Sequence, residues 1–254
     1  MFVSESPATL SQRRSHPPAG LLPPRRRVVP ADLAARVRPV STAASRLLAL
    51  PGPLVPLFPD GALRRGGTTL VTGVPGRGAS TLALALLASA SAGAGWCASV
   101  GLTDPGVVAV AELGLDLRRV VFVPHPTAGW ADAAAELLDG VDVVLVCPPG
   151  RVRPTVARHL VARARERQSA LVVLVERPGN WPVGPDAVLT VTAAEWHGIG
   201  QGHGHLRGRR AEVQVTGRRP AGRPVSRTLW LPSGTGALAD VTPDGVALSP
   251  PVPA

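Results

Sequence analysis

The stretch TTLVTGVPGRGAST, residues 68–81, joins two sequence patterns around a cluster of glycines. Its first part is β-branched and apolar, which favours a strand. Its centre carries glycines at positions 73, 76 and 78, which favour a tight loop. The residues that follow, 80–92, place leucines on one side of a helix. The stretch therefore predicts a strand, a glycine-rich loop and a helix in direct succession.

The loop matches the phosphate-binding pattern G-x-x-x-x-G-K-[ST] at both glycines and at the serine, but not at the lysine. In such a loop the backbone N–H groups bind phosphates, and the lysine neutralises the β and γ phosphates. Ala79 stands at the lysine position, and the chain contains no lysine anywhere. We therefore predict a vestigial phosphate site with no resident cofactor, which leaves weak ATP or phosphate binding open. A glycine turn without any ligand is the alternative. The predicted site residues are Gly73, Gly76, Gly78, Ser80 and Thr81.

Apolar strand patterns alternate with helical patterns through the middle of the chain. Further strands are predicted at residues 96–100, 120–124, 141–146, 171–175 and 187–191, and helices at 106–113, 131–138 and 155–167. Two later strands, at 211–216 and 227–231, are separated by Gly/Arg turns, which is typical of antiparallel pairing. The pattern predicts an α/β fold with a mostly parallel central sheet, helices on both faces and C-terminal antiparallel strands.

Composition divides the chain into three parts. Residues 1–40 are rich in Pro, Ser and Arg and are predicted to be disordered, although residues 31–50 hold a weak helical pattern. Residues 41–232 form the predicted core. Residues 233–254, which contain several prolines, are predicted to form a weakly structured tail.

The net charge is +10, and every basic residue is Arg. Because guanidinium groups pair with phosphates and carboxylates, this charge favours a polyanion or an acidic protein as partner. The N-terminus lacks the apolar stretch of a signal peptide, and no apolar run is long enough for a membrane span. Cys97 and Cys147 lie in apolar contexts that suit free thiols. We therefore expect a cytoplasmic protein without a membrane segment.

Beyond the loop, three further segments resemble the RecA core. They are PDGALRRGG (59–67), LGLDLRRV (113–120) and VDVVLV (141–146), and the resemblance covers roughly residues 50–232. It implies a RecA-like P-loop core in which the third segment is the magnesium-site (Walker B) strand.

The chain departs from the RecA pattern at three positions that carry the chemistry. Ala79 replaces the Walker A lysine, and Cys147 stands where the Walker B strand should end in Asp. Val100, Gly101 and Leu102 stand where the glutamate that activates water is expected, with Asp104 and Glu112 as remote substitutes. Phosphoryl transfer needs the charge and orientation that each of these groups supplies. The resemblance therefore implies a degenerate ATPase core that is not an enzyme.

This pattern of losses is similar to the actinobacterial ImuA-prime type of protein. That resemblance implies a non-catalytic accessory in DNA-damage-induced (SOS) mutagenesis and translesion DNA synthesis, which scaffolds a polymerase assembly. The implied partners are an inactive Y-family polymerase homologue (ImuB type) and an error-prone C-family DNA polymerase. Two alternatives remain: a slow or regulatory P-loop ATPase in DNA recombination and repair, and an Arg-rich DNA-binding module.

Two groups of arginines are candidate contacts for DNA or for a partner protein. The first recurs at a spacing of seven on the helix predicted after Cys147, and the second lies among predicted turns. Solvated surface is the alternative for both groups. The residues are Arg151, Arg158 and Arg165 in the first group and Arg207, Arg209 and Arg210 in the second. No metal site is predicted, because His197, His203 and His205 have irregular spacing and no Cys partner.

Overall fold

The computed structural model describes residues 46–126, 129–199, 204–217 and 224–241. Strands and helices alternate through most of these residues. The strands are β1 (Leu47–Ala49), β2 (Ala62–Arg64), β3 (Thr68–Gly73), β4 (Cys97–Val100), β5 (Val120–Val123), β6 (Val143–Val146), β7 (Ala170–Val175), β8 (Ala187–Ile199), β9 (Gly204–Gly217), β10 (Val225–Trp230) and β11 (Ala239–Asp240). The helices are α1 (Ala79–Ala92), α2 (Val107–Glu112), α3 (Trp130–Gly140) and α4 (Pro154–Arg167), and 3-10 helices lie at Gly52–Leu57, Leu117–Arg119 and Pro178–Asn180.

One large sheet contains the strands β3 to β11 in the spatial order β11-β10-β9-β8-β3-β7-β6-β4-β5. The six strands from β8 to β5 in this order pair in parallel, and β9, β10 and β11 add to the β8 edge in antiparallel fashion. β6 and β7 are apolar throughout, as expected where both faces of a parallel sheet are covered. The mostly parallel sheet with C-terminal antiparallel strands is therefore confirmed.

Helices cover both faces of this sheet, and the alternation of side chains along β6 shows how. Val143 and Leu145 belong to the buried cluster that contains the leucines of α1. Val144 and Val146 belong to a second cluster, which contains α3 and α4. Burial of each large aliphatic side chain contributes about 1.5–3 kcal/mol, so the two clusters together hold the sheet between its helices. The prediction of helices on both faces is confirmed.

The β8–β9 hairpin is much longer than the sequence predicted. β3 pairs with β8 only over residues 187–191, and β10 pairs with β9 only over residues 210–215. Residues 192–199 and 204–209 extend beyond these neighbours, and we call them the arm. Irregularities in the ladder between Val191 and Ala193 and between His197 and Ile199 bend it. His197 and His205 therefore lie on strands of the arm and not in a turn. His203 lies outside the described residues.

The helix predicted for residues 31–50 is wrong in its described part. Leu47–Ala49 form β1, which pairs in antiparallel fashion with Ala62–Arg64. The alternation suits a strand, because Leu48 is buried between two more exposed neighbours and belongs to the α1 cluster. The rest of that prediction, and the whole segment 1–40 that we predicted to be disordered, lie outside the described residues.

The predicted C-terminal tail is described as far as residue 241. Ala239–Asp240 form β11 and pair with Leu229 and Trp230, so a short strand lies in a segment that we expected to be weakly structured. Residues 242–254 lie outside the described part. Among the described helices, none combines the length and the apolar character needed to cross a membrane.

Candidate functional site

The glycine loop lies at the carboxyl edge of the parallel strands, beside a cavity of about 430 Å³. The loop follows β3, and two other segments that line the cavity follow β6 and β7. β3 lies between β7 and β8. The connection after β3 leads toward one edge of the sheet, to β4, whereas the connection after the neighbouring β7 leads toward the other edge, to β8. In open α/β sheets, ligands bind at the carboxyl ends of strands where the strand order reverses. The topology therefore makes this cavity the candidate site.

The five predicted site residues come together here. All of them line the cavity: Gly73, Gly76, Gly78, Ser80 and Thr81. The loop is a closed turn, because the backbone N–H of Arg77 donates to the Val74 carbonyl over 3.2 Å. Gly76 and Gly78 adopt left-handed φ values of 82° and 107°, which side chains other than glycine rarely tolerate.

The loop leads directly into the N-terminus of α1. Leu82 N–H donates to the Gly78 carbonyl, which closes the first turn, and no side chain caps the N–H groups before it. These amides have no acceptor within the helix, and they form the positive end of its dipole. They point to the same edge of the sheet as the loop. Backbone groups arranged in this way can hold an anion.

Ala79 occupies the lysine position and lines the cavity. It is 7% exposed, and a Cβ built on Gly73 would lie 3.2 Å from the Ala79 methyl group. The methyl group therefore packs against the end of β3, within the same cluster as the α1 leucines. It supplies no charge to the loop.

A guanidinium from another part of the chain contacts the loop. Arg209, on β9, donates from Nη1 to the Gly76 carbonyl over 3.1 Å and from Nη2 to Thr81 Oγ1 over 2.9 Å. Its Nε donates to the Leu231 carbonyl over 2.7 Å. We predicted that Arg209 lies among turns, with no connection to the loop. That placement was wrong, because the residue lies inside a 14-residue strand.

Arg209 is an unusual buried charge. The residue is 6% exposed, and no described carboxylate forms an ion pair with it. Burial lowers the pKa of its guanidinium below the usual value. The guanidinium carbon lies 4.9 Å from the centre of the Trp196 ring, within the range of a cation–π contact. The charge is therefore stabilised by neutral oxygens and by an aromatic face, and it is not available to a surface partner in this conformation.

The ends of the neighbouring strands β4 and β6 carry no carboxylate. Cys147 follows β6, and its backbone N–H donates to the Val100 carbonyl at the end of β4. Burial raises the pKa of the Cys147 thiol to about 12, so the thiol is uncharged at neutral pH. Gly101 packs directly against the Cys147 carbonyl and leaves no space there for a side chain.

One carboxylate does line the cavity, and sequence analysis missed it. Glu176 follows β7 directly and is exposed. The signal was available, since a polar residue after a predicted parallel strand belongs to the same edge as the loop. The two carboxylates considered from the sequence, Asp104 and Glu112, line a separate cavity of about 400 Å³, which also contacts Thr81 and Arg209.

The remaining candidate arginines do not join this site. Arg151 lies before α4 and not on it, because Pro154 begins the helix; that part of the prediction was wrong. Arg158 and Arg165 are exposed on α4, and Arg207 and Arg210 are exposed on β9.

Arg165 belongs to a different basic cavity at the amino edge of the strands. This cavity has a volume of about 470 Å³, and its arginines are Arg46, Arg64, Arg65 and Arg165. Arg64 pairs with Asp60, and Arg65 pairs with Asp142 outside the cavity lining. The sequence-based grouping by a spacing of seven therefore does not correspond to one surface. Within the described residues, no group of three or more His, Cys, Asp or Glu side chains is arranged to hold a metal ion.

The family described as the MT3502 N-terminal domain matches residues 56–183, which is half of the chain. The chain belongs to this family. The matched residues include β3, the glycine loop, α1, the ends of β4 and β6, and Glu176. Arg209 and the arm lie beyond them. The loop therefore belongs to the region that the family model matches, whereas the arginine that contacts the loop does not.

A curated relative is similar to part of the chain. The uncharacterized protein Rv3395c of Mycobacterium tuberculosis (strain ATCC 25618 / H37Rv) is 40% identical over 105 residues. These residues make up 41% of this chain and 50% of that protein, so the chain spans about half the length of the curated relative. Neither the family description nor the relative's name specifies an activity or a ligand.

Proposed function

We propose that the chain is a non-catalytic RecA-like accessory protein in DNA-damage-induced (SOS) mutagenesis and translesion DNA synthesis, where it scaffolds a polymerase assembly in the cytoplasm. The RecA-like core is assigned by the resemblance of the loop and of residues 59–67, 113–120 and 141–146. The proposed partners are an inactive Y-family polymerase homologue of the ImuB type and an error-prone C-family DNA polymerase.

One observation carries the non-catalytic part of this proposal. The three positions where the chemistry of phosphoryl transfer is expected lie at one edge of the sheet, and Ala79, Gly101 and Cys147 occupy them. A methyl group, a hydrogen atom and a protonated thiol cannot neutralise phosphates, activate water or hold magnesium. Residues of this kind at all three positions favour a protein that keeps the fold but does not catalyse phosphoryl transfer.

The loop in this proposal binds an anion weakly or serves only as structure. The amides at the start of α1 and the nearby charge of Arg209 favour an anion. The Arg209 contacts also hold the loop in one conformation. Weak binding of ATP or phosphate without turnover is consistent with both features.

The arm supports a role in protein–protein contact. Trp196, Ile199 and Leu206 are large apolar side chains that remain 45%, 59% and 52% exposed on it. Three large exposed apolar side chains on one hairpin favour an interaction surface. Arg207 is also exposed on the arm and adds positive charge for an acidic partner.

The scaffold proposal is tested by reconstitution and by complementation. The full chain is expected to co-elute with the Y-family homologue on size-exclusion chromatography, and a strain that lacks the gene is expected to lose damage-induced mutation. A Ser80→Ala variant should complement that strain fully, because no metal or phosphate chemistry depends on the hydroxyl. Loss of complementation by a folded Ser80→Ala protein would contradict the non-catalytic proposal.

A slow or regulatory P-loop ATPase is the second candidate, and Glu176 is the observation that favours it. This carboxylate lines the loop cavity together with Ser80 and could orient a water molecule. DNA-stimulated ATP turnover that a Glu176→Gln substitution abolishes would support this candidate.

An Arg-rich DNA-binding module is the third candidate. The cavity at the amino edge of the sheet, with Arg46 and Arg165 unpaired with any described carboxylate, favours it. Such a module loses affinity steeply as salt rises, and a substitution of a phosphate-contacting arginine reduces the salt slope by about 1. Arg165→Gln should therefore flatten the salt dependence of DNA binding, whereas Arg207→Gln serves as a control on the arm.

A further inference from the structure

Two side chains join the loop and the arm: Arg77 of the loop donates from Nη1 to the Thr192 carbonyl over 3.4 Å, and Arg209 makes the more extensive contact. Arg209 lies at the base of the arm, where its backbone N–H donates to the Pro232 carbonyl and its own carbonyl accepts from Leu231. Its side chain leaves the arm and bonds to Gly76 and Thr81. These contacts span more than 120 residues of sequence, so neither partner positions the other through the local chain.

The geometry of the guanidinium makes these contacts interdependent. A guanidinium is planar and rigid, and its N–H groups point in fixed directions. Nε is held by the Leu231 carbonyl, and one face is covered by Trp196. The directions of the bonds to the loop are therefore set by the orientation of the guanidinium plane, which the Leu231 carbonyl and Trp196 of the arm hold together. Movement of the arm shifts both loop contacts at the same time.

Burial makes the same contacts difficult to exchange for water. Arg209 is almost fully buried and has no described carboxylate partner. The buried charge is stabilised by its hydrogen bonds and by the Trp196 ring, and loss of the hydrogen bonds leaves its N–H groups unpaired unless the guanidinium moves toward solvent. Gly78 permits the close packing, because a Cβ at that position would lie 2.6 Å from Nη2. We therefore expect the contact of Arg209 with the loop to be either fully formed or fully broken, without partly loosened states between them.

We propose that Arg209 is a positioning residue that makes the loop and the arm one conformational unit. An event that displaces the arm releases the loop, and an event that displaces the loop releases the arm. The coupling is a property of these contacts and goes beyond the proposed role in mutagenesis, which it would serve by linking the loop to a partner on the arm. It needs neither ATP nor a partner to be measured.

Hydrogen exchange of the full chain, followed by mass spectrometry, tests the coupling from the arm side. Trp196 makes no described hydrogen bond to the loop and touches it through Arg209. Removal of the aromatic face in Trp196→Ala is expected to raise the exchange of the Arg77 and Leu82 amides, which are hydrogen-bonded to carbonyls of the loop, by roughly threefold or more, from the size of cation–π contacts. Leu206→Ala, on the same arm and 52% exposed, is the matched control and should leave loop exchange unchanged.

The reverse experiment starts from the loop. Thr81→Val keeps the side-chain shape but removes the oxygen that accepts from Arg209, and it is expected to raise exchange in residues 192–199 and 204–208. Ser80→Ala removes the neighbouring hydroxyl, which makes no hydrogen bond to Arg209 and should not affect the arm.

Two results would overturn the proposal. The two parts would be shown to move independently if amide exchange rose only near each substitution, with the loop unaffected by Trp196→Ala and the arm unaffected by Thr81→Val. Equal increases in β6 and β7 would show general destabilisation in place of coupling. Neither result depends on whether the protein binds ATP or a polymerase, so a failure of the coupling and a failure of the proposed function are distinguishable.

Discussion

Raising the pH from 8 to 11 is expected to destabilise the folded protein through its two cysteines. Cys97 lies buried in β4. Its burial is the main cause, and the nearby charge of Asp142 the smaller cause, that raises the pKa of its thiol to about 12. Burial raises the pKa of the Cys147 thiol to about 12 as well. An exposed thiol in the unfolded chain has a pKa of about 8.5.

The sign of the effect follows from proton binding. Above a pH of about 8.5 the unfolded chain loses its thiol protons, whereas the folded protein keeps them until the pH approaches 12. Unfolding therefore releases protons, and it becomes more favourable as the pH rises through this window. Each cysteine accounts for a loss of up to about 3 kcal/mol between pH 8 and pH 11. This is a large part of the roughly 5–15 kcal/mol that stabilises a typical domain.

Composition makes this measurement unusually clean. The chain has no Lys and no Tyr, so apart from the terminal amine the cysteines are the groups that titrate in this range. Urea unfolding followed by the fluorescence of the five Trp residues gives the free energy of unfolding at each pH without interference from tyrosinate. Cys97→Ala and Cys147→Ala should each remove about half of the pH dependence. A free energy of unfolding that is constant within about 1 kcal/mol from pH 8 to pH 11 would show that the folded protein does not hold these thiols protonated.

Two further predictions concern the loop and the core. Gly78→Ala should destabilise the protein by about 2–3 kcal/mol, because its φ is 107° and the new Cβ would lie 2.6 Å from Arg209. Gly76→Ala, with a φ of 82° and nothing within 4 Å of the new Cβ, should lower the free energy of unfolding by only about 1 kcal/mol. Urea unfolding of both variants therefore separates the effect of the steric contact with Arg209 from the effect of backbone strain. Leu86→Ala, at a fully buried position of α1, should lower the free energy of unfolding by about 2–5 kcal/mol. Leu206→Ala on the exposed arm should change it by less than about 0.5 kcal/mol, and equal losses in these two leucine variants would contradict the assignment of the core.

The central sheet could be predicted from sequence because its signals are local. The β-branched run before the loop and the glycines within it place β3 and α1 to within one residue. Short strands such as β1 gave no such signal, because three residues are too few to show an alternation of apolar and polar side chains. The conformation of β1 is fixed by its pairing with Ala62–Arg64. The start of α4 was predictable from Pro154, whose ring suits the first turn of a helix.

The outer part of the hairpin and its link to the loop were not predictable in the same way. The arm has few buried side chains, so its strands are held by pairing with each other and leave little hydrophobic alternation in the sequence. Arg209 reaches Thr81 across 128 residues, and nothing in the local sequence distinguishes it from exposed Arg207 or Arg210. Glu176 differs, because its position after a predicted strand was enough to place it beside the loop.

ATP turnover by the purified full chain, with and without single-stranded DNA, tests the loss of catalysis most directly. Wild type, Ser80→Ala and Ala79→Lys are measured together, since the last restores the missing charge to the loop. We predict no turnover above background for wild type or Ser80→Ala, and weak ATP binding at most. DNA-stimulated turnover by wild type that Ser80→Ala abolishes would contradict it and would identify the chain as an ATPase.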